Sequence, residues 1–219
     1  MARWIQGRNY PCMTLKVAPI EHKAAEFAVK NWHYSQTMPI GKLILFGVWE
    51  NDKYIGAVMY GRGASPQLGS AFGLTQTECC ELVRVALTTH EAPVTQIVSL
   101  TIKELKKTNP GLRLIISFAD PEQSHHGGIY QAGNWIYNGR SPSSDEVLFE
   151  GKWTHSRMLR PTGWGTTPKI ARLSKEQQSK LPKRRREGKH RYLYPLDKQT
   201  RRKVEKLSQP YPSAIEVSR

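Results

Sequence analysis

The end of one apolar segment carries side chains that could perform acid–base chemistry. The run LIISFA is rich in β-branched residues and predicts a buried strand, and a polar loop follows it directly. A carboxylate in that loop can accept a proton or a hydrogen bond, whereas a phenol can donate one. Because α/β folds build their sites at the carboxyl edge of a sheet, we expect a site here. Its candidate side chains are Ser117, Asp120, His125, His126 and Tyr130.

The cysteine and histidine pattern predicts no metal site. Cys12, Cys79 and Cys80 form no C-x-x-C pair, and the adjacent His125 and His126 cannot easily chelate one ion together. On a strand, Cys79 and Cys80 would point to opposite faces, so we expect reduced cysteines used as small core residues. With no signal peptide and no long apolar run, the sequence predicts a cytoplasmic protein.

The periodicity of apolar residues predicts the elements that position these side chains. Their order is a helix, a hairpin, a strand, a helix, a central strand, a short helix and two strands. This order predicts an α+β fold of the three-layer α/β type, with a mixed sheet and helices on both faces, within a domain of residues 1–160. The predicted helices lie at 22–34, 93–107 and 127–132, and the strands at 43–50, 54–62, 78–87, 112–119, 135–138 and 146–152.

The net charge of +15 predicts a polyanionic partner, and it is concentrated near the C-terminus. Residues 161–219 contain 16 Lys and Arg against 5 Asp and Glu, and three tyrosines lie between the basic clusters. Basic residues interleaved with aromatics suit phosphate neutralisation and base stacking, so we predict a C-terminal extension that contacts nucleic acid. The alternative is a solvated tail that only carries charge. The predicted contacts are Lys183, Arg184, Arg185, Arg186, Arg201 and Arg202.

Several motifs, taken together, resemble one known family. They are HYS at 33–35, LFGVWE, GRGASP, ECCELVRVAL followed by TTHEAPV, and SFADP followed by HHGGIYQAGNWIY. Over about residues 30–155 the chain resembles the Mom DNA-modification proteins of Mu-like bacteriophages. The resemblance implies a fold similar to the GCN5-related N-acetyltransferases. It also implies conversion of adenine in DNA to N6-(carbamoylmethyl)adenine, which protects phage DNA from host restriction endonucleases in the infected bacterial cytoplasm.

The resemblance also implies roles for individual residues. Asp120 would polarise the adenine N6 amine and Tyr130 would protonate the leaving group, while Arg84 would bind a carbonyl or phosphate of the donor. His33 belongs with these catalytic candidates. Because the target base must leave the stack, an aromatic pocket is expected to receive it. The predicted substrate-binding residues are Tyr34, Ser35, Ser117, His125 and His126.

The donor substrate is left open between acetyl-CoA and glycyl-tRNA. Acetyltransferases of this superfamily usually hold the pyrophosphate of coenzyme A on a glycine-rich loop before the central helix, but the segment ALTTHEAP at 86–93 has no glycine. A glycyl donor would supply both carbons and the nitrogen of the product's side group, which an acetyl group cannot.

Two other functions are compatible with the sequence. One is an acyltransferase that acts on a protein or a small molecule, and the other is a non-catalytic phage DNA-binding protein. The first predicts activity without DNA, and the second predicts salt-sensitive DNA binding with no altered base.

Overall fold

The computed structural model describes residues 13–63, 65–159 and 173–213. These residues belong to two compact units, one of residues 13–39, 43–61 and 83–110, the other of residues 40–42, 62–63, 65–82, 111–159 and 173–213. The described strands are β1 (Leu15–Pro19), β2 (Leu43–Glu50), β3 (Lys53–Gly61), β4 (Cys79–Leu87), β5 (Leu114–Ala119), β6 (Ile136–Arg140), β7 (Ser144–Phe149), β8 (Lys152–His155), β9 (Lys183–Arg186) and β10 (His190–Pro195). The described helices are α1 (His22–Trp32), α2 (Val94–Thr108), α3 (Gly128–Ala132), α4 (Lys175–Ser179) and α5 (Lys198–Glu205).

The first unit is a sheet with one helix on each face. Its strands follow the order β1-β2-β3-β4, and β1, β2 and β3 pair antiparallel. The small residues Ala25 and Ala28 of α1 pack against Ala57 and Met59 of β3. On the other face, the hydroxyl of Tyr60 lies 2.7 Å from that of Thr101 in α2. Because neighbouring strand residues alternate in direction, α1 and α2 cover opposite faces of this sheet.

The second unit contains a mixed sheet in the order β4-β5-β10-β6. β4 runs parallel to β5, whereas β10 pairs antiparallel with both β5 and β6. Nearly every residue of β5 is buried, which explains why Ser117 is its only polar residue. β4 belongs to both units, because Cys79–Leu82 lies in the second and Val83–Leu87 in the first.

Helices cover both faces of this second sheet. Leu114 and Ile116 of β5 pack with Val204 of α5 on one face. Ser117 and Tyr192, which are partners across β5 and β10, contact Tyr130 of α3 on the other face. The odd and even positions of β5 therefore serve two different environments.

A separate three-stranded sheet of order β8-β7-β9 completes the second unit. β7 pairs antiparallel with both neighbours, and the basic run KRRR forms β9 along its edge. A 3-10 turn at Ser156–Leu159 follows β8.

The predicted α+β class, with a mixed sheet flanked by helices, is confirmed. The structure differs from the prediction in the C-terminal segment, since β10 lies between β5 and β6 inside the sheet. Residue 160 is therefore not a boundary between compact units. The cause is physical: β5 and β6 each need a backbone partner, and the segment after residue 189 supplies both sets of hydrogen bonds.

None of the helices in the described ranges combines the length and the apolarity that a membrane crossing requires.

Candidate functional site

Ser117 and Tyr130 form a buried hydroxyl pair where the pairing of β4 with β5 ends. Ser117 Oγ lies 2.7 Å from the Tyr130 hydroxyl oxygen and 2.9 Å from the carbonyl oxygen of Leu82, its last partner on β4. The Ser117 hydroxyl has one proton and can donate it to only one of these oxygens at a time. When Ser117 donates to the carbonyl oxygen of Leu82, the Tyr130 hydroxyl donates to Ser117. When Ser117 donates to Tyr130, the Tyr130 hydroxyl can donate to another acceptor.

Asp120 directly follows β5 and is held by two cations. Its carboxylate is 6% exposed, forms an ion pair with Arg186 and lies 3.2 Å from Nζ of Lys189. Its Oδ1 also accepts from the backbone N–H of Glu122 at 3.2 Å, which caps the following 3-10 turn. Burial raises the pKa of Asp120, but the charges of Lys189 and Arg186 outweigh burial and leave the pKa below its usual value. Asp120 is therefore ionised at neutral pH.

The ion pair of Asp120 is part of a larger network that reaches β7 and β9. Arg186 Nη1 lies 3.1 Å from Glu146, a carboxylate that is 6% exposed, and Arg186 Nε lies 3.4 Å from Glu122. Arg184 lies 2.7 Å from Glu146 and 3.2 Å from Glu122. Three carboxylates thus face three cations, counting Lys189, and their formal charges balance.

Asp120 and Tyr130 contact different groups in the structure. Tyr130 contacts Ser117, and Asp120 follows Ser117 by three residues of extended chain. Side chains three positions apart on an extended chain point to opposite faces. Accordingly, Tyr130 packs among the aromatic rings of Trp135 and Tyr192, whereas Asp120 contacts the charged network.

Arg84 lies in the first unit, in the part of β4 beyond Leu82. Its Nη1 donates to the carbonyl oxygen of Val83 at 2.7 Å, and its Nε is buried without a hydrogen-bond partner among the described residues. A buried guanidinium N–H that lacks an acceptor is costly, which is compatible with a ligand that supplies one.

His33, Tyr34 and Ser35 form a local cluster after α1, also in the first unit. The backbone N–H of Ser35 donates to His33 Nδ1 at 3.1 Å, and Ser35 Oγ lies 2.8 Å from the same nitrogen. A neutral His33 therefore carries its proton on Nε2. The ring of Tyr34 is 55% exposed and lies 4.2 Å from that of His33, centroid to centroid. An exposed tyrosine in this position can stack on a base.

The loop with the two histidines is fixed by its backbone. The N–H of His125 donates to the carbonyl oxygen of Asp120 at 3.1 Å, and the hydroxyl of Tyr192 donates to the carbonyl oxygen of His126. Gly127 follows with φ +87° and lies against the ring of Tyr192. His125 is exposed and His126 half-buried. Their imidazoles lie beside the site, and the described residues contain no cluster that could hold a metal ion.

The six basic residues predicted to contact nucleic acid do not share one environment. Arg184 and Arg186 are engaged with carboxylates, and Arg201 lies 3.3 Å from Glu205 on α5. Lys183, Arg185 and Arg202 are exposed, although Arg185 Nε donates to Ser143 Oγ at 2.9 Å. Alternation along β9 explains the division between its odd and even residues.

Sequence reasoning missed Glu50, Glu146 and Lys189. Glu50 ends β2 and is 8% exposed, and its carboxylate accepts from the backbone N–H groups of Glu91 and Ala92 before α2. Its partners lie about 40 positions away in the sequence, so no local signal identifies it. Glu146 and Lys189 become informative only when β9 is placed next to β7 and beside Asp120.

The cysteines in the described part of the chain are buried and unpaired, as predicted for Cys79 and Cys80. Burial raises the pKa of the Cys79 thiol to about 12 and also raises that of Cys80. Neither thiol is a reactive nucleophile in this environment. Cys12 lies outside the described residues.

Comparisons with known proteins find one matching family and several similar folds. A family model described as the Mom protein family matches residues 14–213. The relative "Methylcarbamoylase mom" of Escherichia phage Mu is 24% identical over an alignment of 213 residues, and the alignment covers 93% of this chain and 86% of the phage protein.

Solved acetyltransferases are among the structures similar to this chain. One is a Bacillus subtilis acetyltransferase in complex with CoA, 10% identical, with 84% of this chain and 99% of that chain covered and a TM-score of 0.47. Another is an N-acyl amino acid synthase from uncultured soil microbes, also 10% identical, with 89% and 97% covered and a TM-score of 0.47.

Proposed function

The chain belongs to the Mom protein family, and from this premise we propose that it is a transferase that modifies adenine in phage DNA. The product we propose is N6-(carbamoylmethyl)adenine, and its purpose is protection of the DNA from host restriction endonucleases. The name of the phage Mu relative, a methylcarbamoylase, supports this group as the one that is added.

The observation that carries the proposal is the state of Asp120. An ionised carboxylate at a strand end can accept a hydrogen bond from an adenine N6–H and so raise the nucleophilicity of the amine, whose lone pair is otherwise delocalised into the ring. The lowered pKa of Asp120 makes it a weak proton acceptor. Its role in this proposal is therefore to orient and polarise the amine, and the N6 proton leaves to water as attack proceeds.

Tyr130 and Ser117 are proposed to deliver the proton that the leaving oxygen needs. As Tyr130 gives up its proton, the hydroxyl of Ser117 can turn from the carbonyl of Leu82 to the phenolate, 2.7 Å away. This exchange stabilises the phenolate without moving either side chain. The amine and the leaving oxygen are bonded to the same carbonyl carbon. The proposal therefore places that carbon at the end of β5, where Asp120 and Tyr130 approach it from the two sides of the strand.

The donor we propose is glycyl-tRNA. Adenine N6 attacks the glycyl carbonyl carbon, a C–N bond forms, the C–O bond to the tRNA breaks, and the departing oxygen takes a proton. The glycyl amine then attacks ring carbon C6, and the original C6–N6 bond breaks. The glycyl nitrogen becomes the new N6 and the old N6 becomes the amide nitrogen, so every atom of the side group is accounted for.

Two features support this donor over acetyl-CoA. An acetyl group lacks the nitrogen of the product. In addition, the backbone N–H groups ahead of α2 already bind the carboxylate of Glu50, at 2.7 to 3.2 Å, so a pyrophosphate would have to displace it. Arg84, with its unsatisfied Nε, is proposed to hold a donor carbonyl or phosphate oxygen. His33, Tyr34 and Ser35, all in the first unit, are proposed to contact bases of the DNA substrate.

Nucleoside mass analysis of plasmid DNA from cells that express the chain tests the function. We expect carbamoylmethyl adenine in the wild type and none with Asp120→Asn, which keeps the size of the side chain but removes its charge. Absence of any adduct in wild-type DNA would contradict the function. Glycine labelled in both carbons and the nitrogen should label the adduct, and an unlabelled adduct would reject the glycyl donor but retain DNA modification.

A further inference from the structure

The four side chains of the basic run KRRR, which forms β9, alternate between two environments. The burial of β9 alternates, with Lys183 and Arg185 exposed and Arg184 and Arg186 partly buried. The register with β7 places Glu146 opposite Arg184 and Ser144 opposite Arg186, so both arginines lie on the face of Glu146. A stripe that contacts DNA throughout its length would instead leave all four cations accessible.

Arg186 forms ion pairs with three different carboxylates. Nη2 pairs with Asp120 and Nη1 lies 3.1 Å from Glu146, whereas Nε lies 3.4 Å from Glu122 without a hydrogen bond. The planar guanidinium reaches Asp120 and Glu146 through two different nitrogens, and the compact ammonium of a lysine does not reproduce that fork. Two of the three carboxylates are almost completely buried, and they would repel one another without a cation between them.

Arg186 is also the connection between the strand end that carries Asp120 and the separate sheet of β7 and β9. The charged groups that face Asp120 are Arg186 from β9 and Lys189 from the segment before β10. Lys189 is 41% exposed and Arg186 only 22%, measured on the side chains. Arg186 is thus the more buried of the two cations, and it also pairs with Glu146.

We propose that Arg186 is a positioning residue that holds Asp120 in place for the adenine amine, while its strand neighbours Lys183 and Arg185 contact DNA phosphates. This inference rests on the proposed function, in which Asp120 accepts the N6–H. The substrate class that the outward residues recognise is a polyanionic backbone, which a net charge of +15 also favours.

Arg185 and Arg186 are adjacent arginines on one strand, and this allows a matched experiment. Arg186→Lys keeps the charge but loses the fork, and we expect the modification rate at saturating DNA to fall roughly 10- to 100-fold with little change in the DNA concentration for half-maximal rate. Arg185→Ala should weaken DNA binding and reduce the slope of log K against log salt by about 1. A wild-type rate in Arg186→Lys, or a reduced salt slope in that variant, would overturn the assignment.

A second readout does not depend on activity. With 13C-labelled aspartate carboxyls, and Asp120→Asn to assign the resonance, the titration of Asp120 should move to higher pH in Arg186→Lys and stay in place in Arg185→Lys. The direction follows because loss of the close guanidinium leaves burial, which raises the pKa, less opposed. If wild-type DNA carries no adduct but this titration shifts as expected, the proposed function fails and the positioning of Asp120 by Arg186 stands. If the titration does not shift, the positioning role fails whatever the activity.

Discussion

The backbone N–H of Ala92 donates a 2.7 Å hydrogen bond to Oε1 of Glu50, a buried carboxylate at the end of β2. The N–H of Glu91 donates to both oxygens of the same group, at 3.2 and 3.0 Å. Both donors precede α2, where backbone amides and the helix dipole favour negative charge. The chain therefore supplies its own anion to a position that could otherwise bind one from solution.

Replacement of Glu50 should lower stability in a pH-dependent way. The backbone hydrogen bonds from Glu91 and Ala92 lower the pKa of Glu50 below 4.5, so its contribution is complete above pH 4.5 and is lost as the pH falls through the lowered value. Glu50→Gln should therefore reduce the melting temperature by several degrees at neutral pH, and the difference should shrink in acid. Glu91→Gln is the control, because only its backbone makes the contact. If Glu50→Gln lowers the melting temperature by the same amount at neutral and acid pH, the charge of Glu50 does not stabilise the fold.

Removal of β10 should prevent folding. This strand pairs with β5 on one side and β6 on the other. A chain that ends at residue 181 lacks β9 and β10, so β6 loses this partner and β5 is left with β4 alone. We expect that chain to lack a cooperative thermal transition by circular dichroism, whereas a chain that ends at Ser213 should melt like the full-length protein. A dispensable tail, the alternative considered from composition, predicts the same melting curve for both truncations.

The strands that could be predicted from the sequence are those whose buried residues form local apolar runs. β2 and β3 have apolar runs joined by the polar turn Asn51-Asp52, and β5 is apolar except for Ser117 because both of its faces are covered. β9 has no such signal. Its sequence is entirely basic, and it becomes a strand because Glu146 and Asp120, about 40 and 66 positions away, neutralise it.

The candidate site was predicted in part. The sequence alone assigns Ser117 and Asp120 to one strand and its end and Tyr130 to the short helix that follows, and the structure places them there. The partners of each group could not be predicted, since they come from segments that meet only in the folded chain. Examples are Lys189 and Arg186, which form ion pairs with Asp120, and Leu82, whose carbonyl oxygen accepts a hydrogen bond from Ser117.

Loss of the Tyr130 hydroxyl should affect chemistry far more than stability. In Tyr130→Phe, Ser117 keeps its 2.9 Å hydrogen bond to Leu82, so the free energy of unfolding should change by about 1 kcal/mol or less. The modification rate should fall by about 100-fold or more, since a general acid typically contributes that much. Tyr194→Phe is the matched control, because Tyr194 packs against the same Trp135. A wild-type rate in Tyr130→Phe, or an equal loss in the control, would remove the phenol from the reaction.

A side chain at Gly127 should destabilise the loop that carries the two histidines. Gly127 has φ +87°, and a Cβ there would overlap the ring of Tyr192, with Cζ at 2.5 Å. Left-handed backbone and a buried overlap together should make Gly127→Ala cost about 3 kcal/mol or more in urea unfolding. Gly151→Ala separates the two causes, because Gly151 has φ +74° but no atom within 4 Å of the added carbon, and it should cost only about 1–2 kcal/mol. Equal costs would show that the close approach to Tyr192 does not constrain this loop. Suppose that Gly127→Ala costs more stability than Gly151→Ala and that only Gly127→Ala loses DNA modification. This result would show that the packing of Gly127 against Tyr192 is needed for the activity.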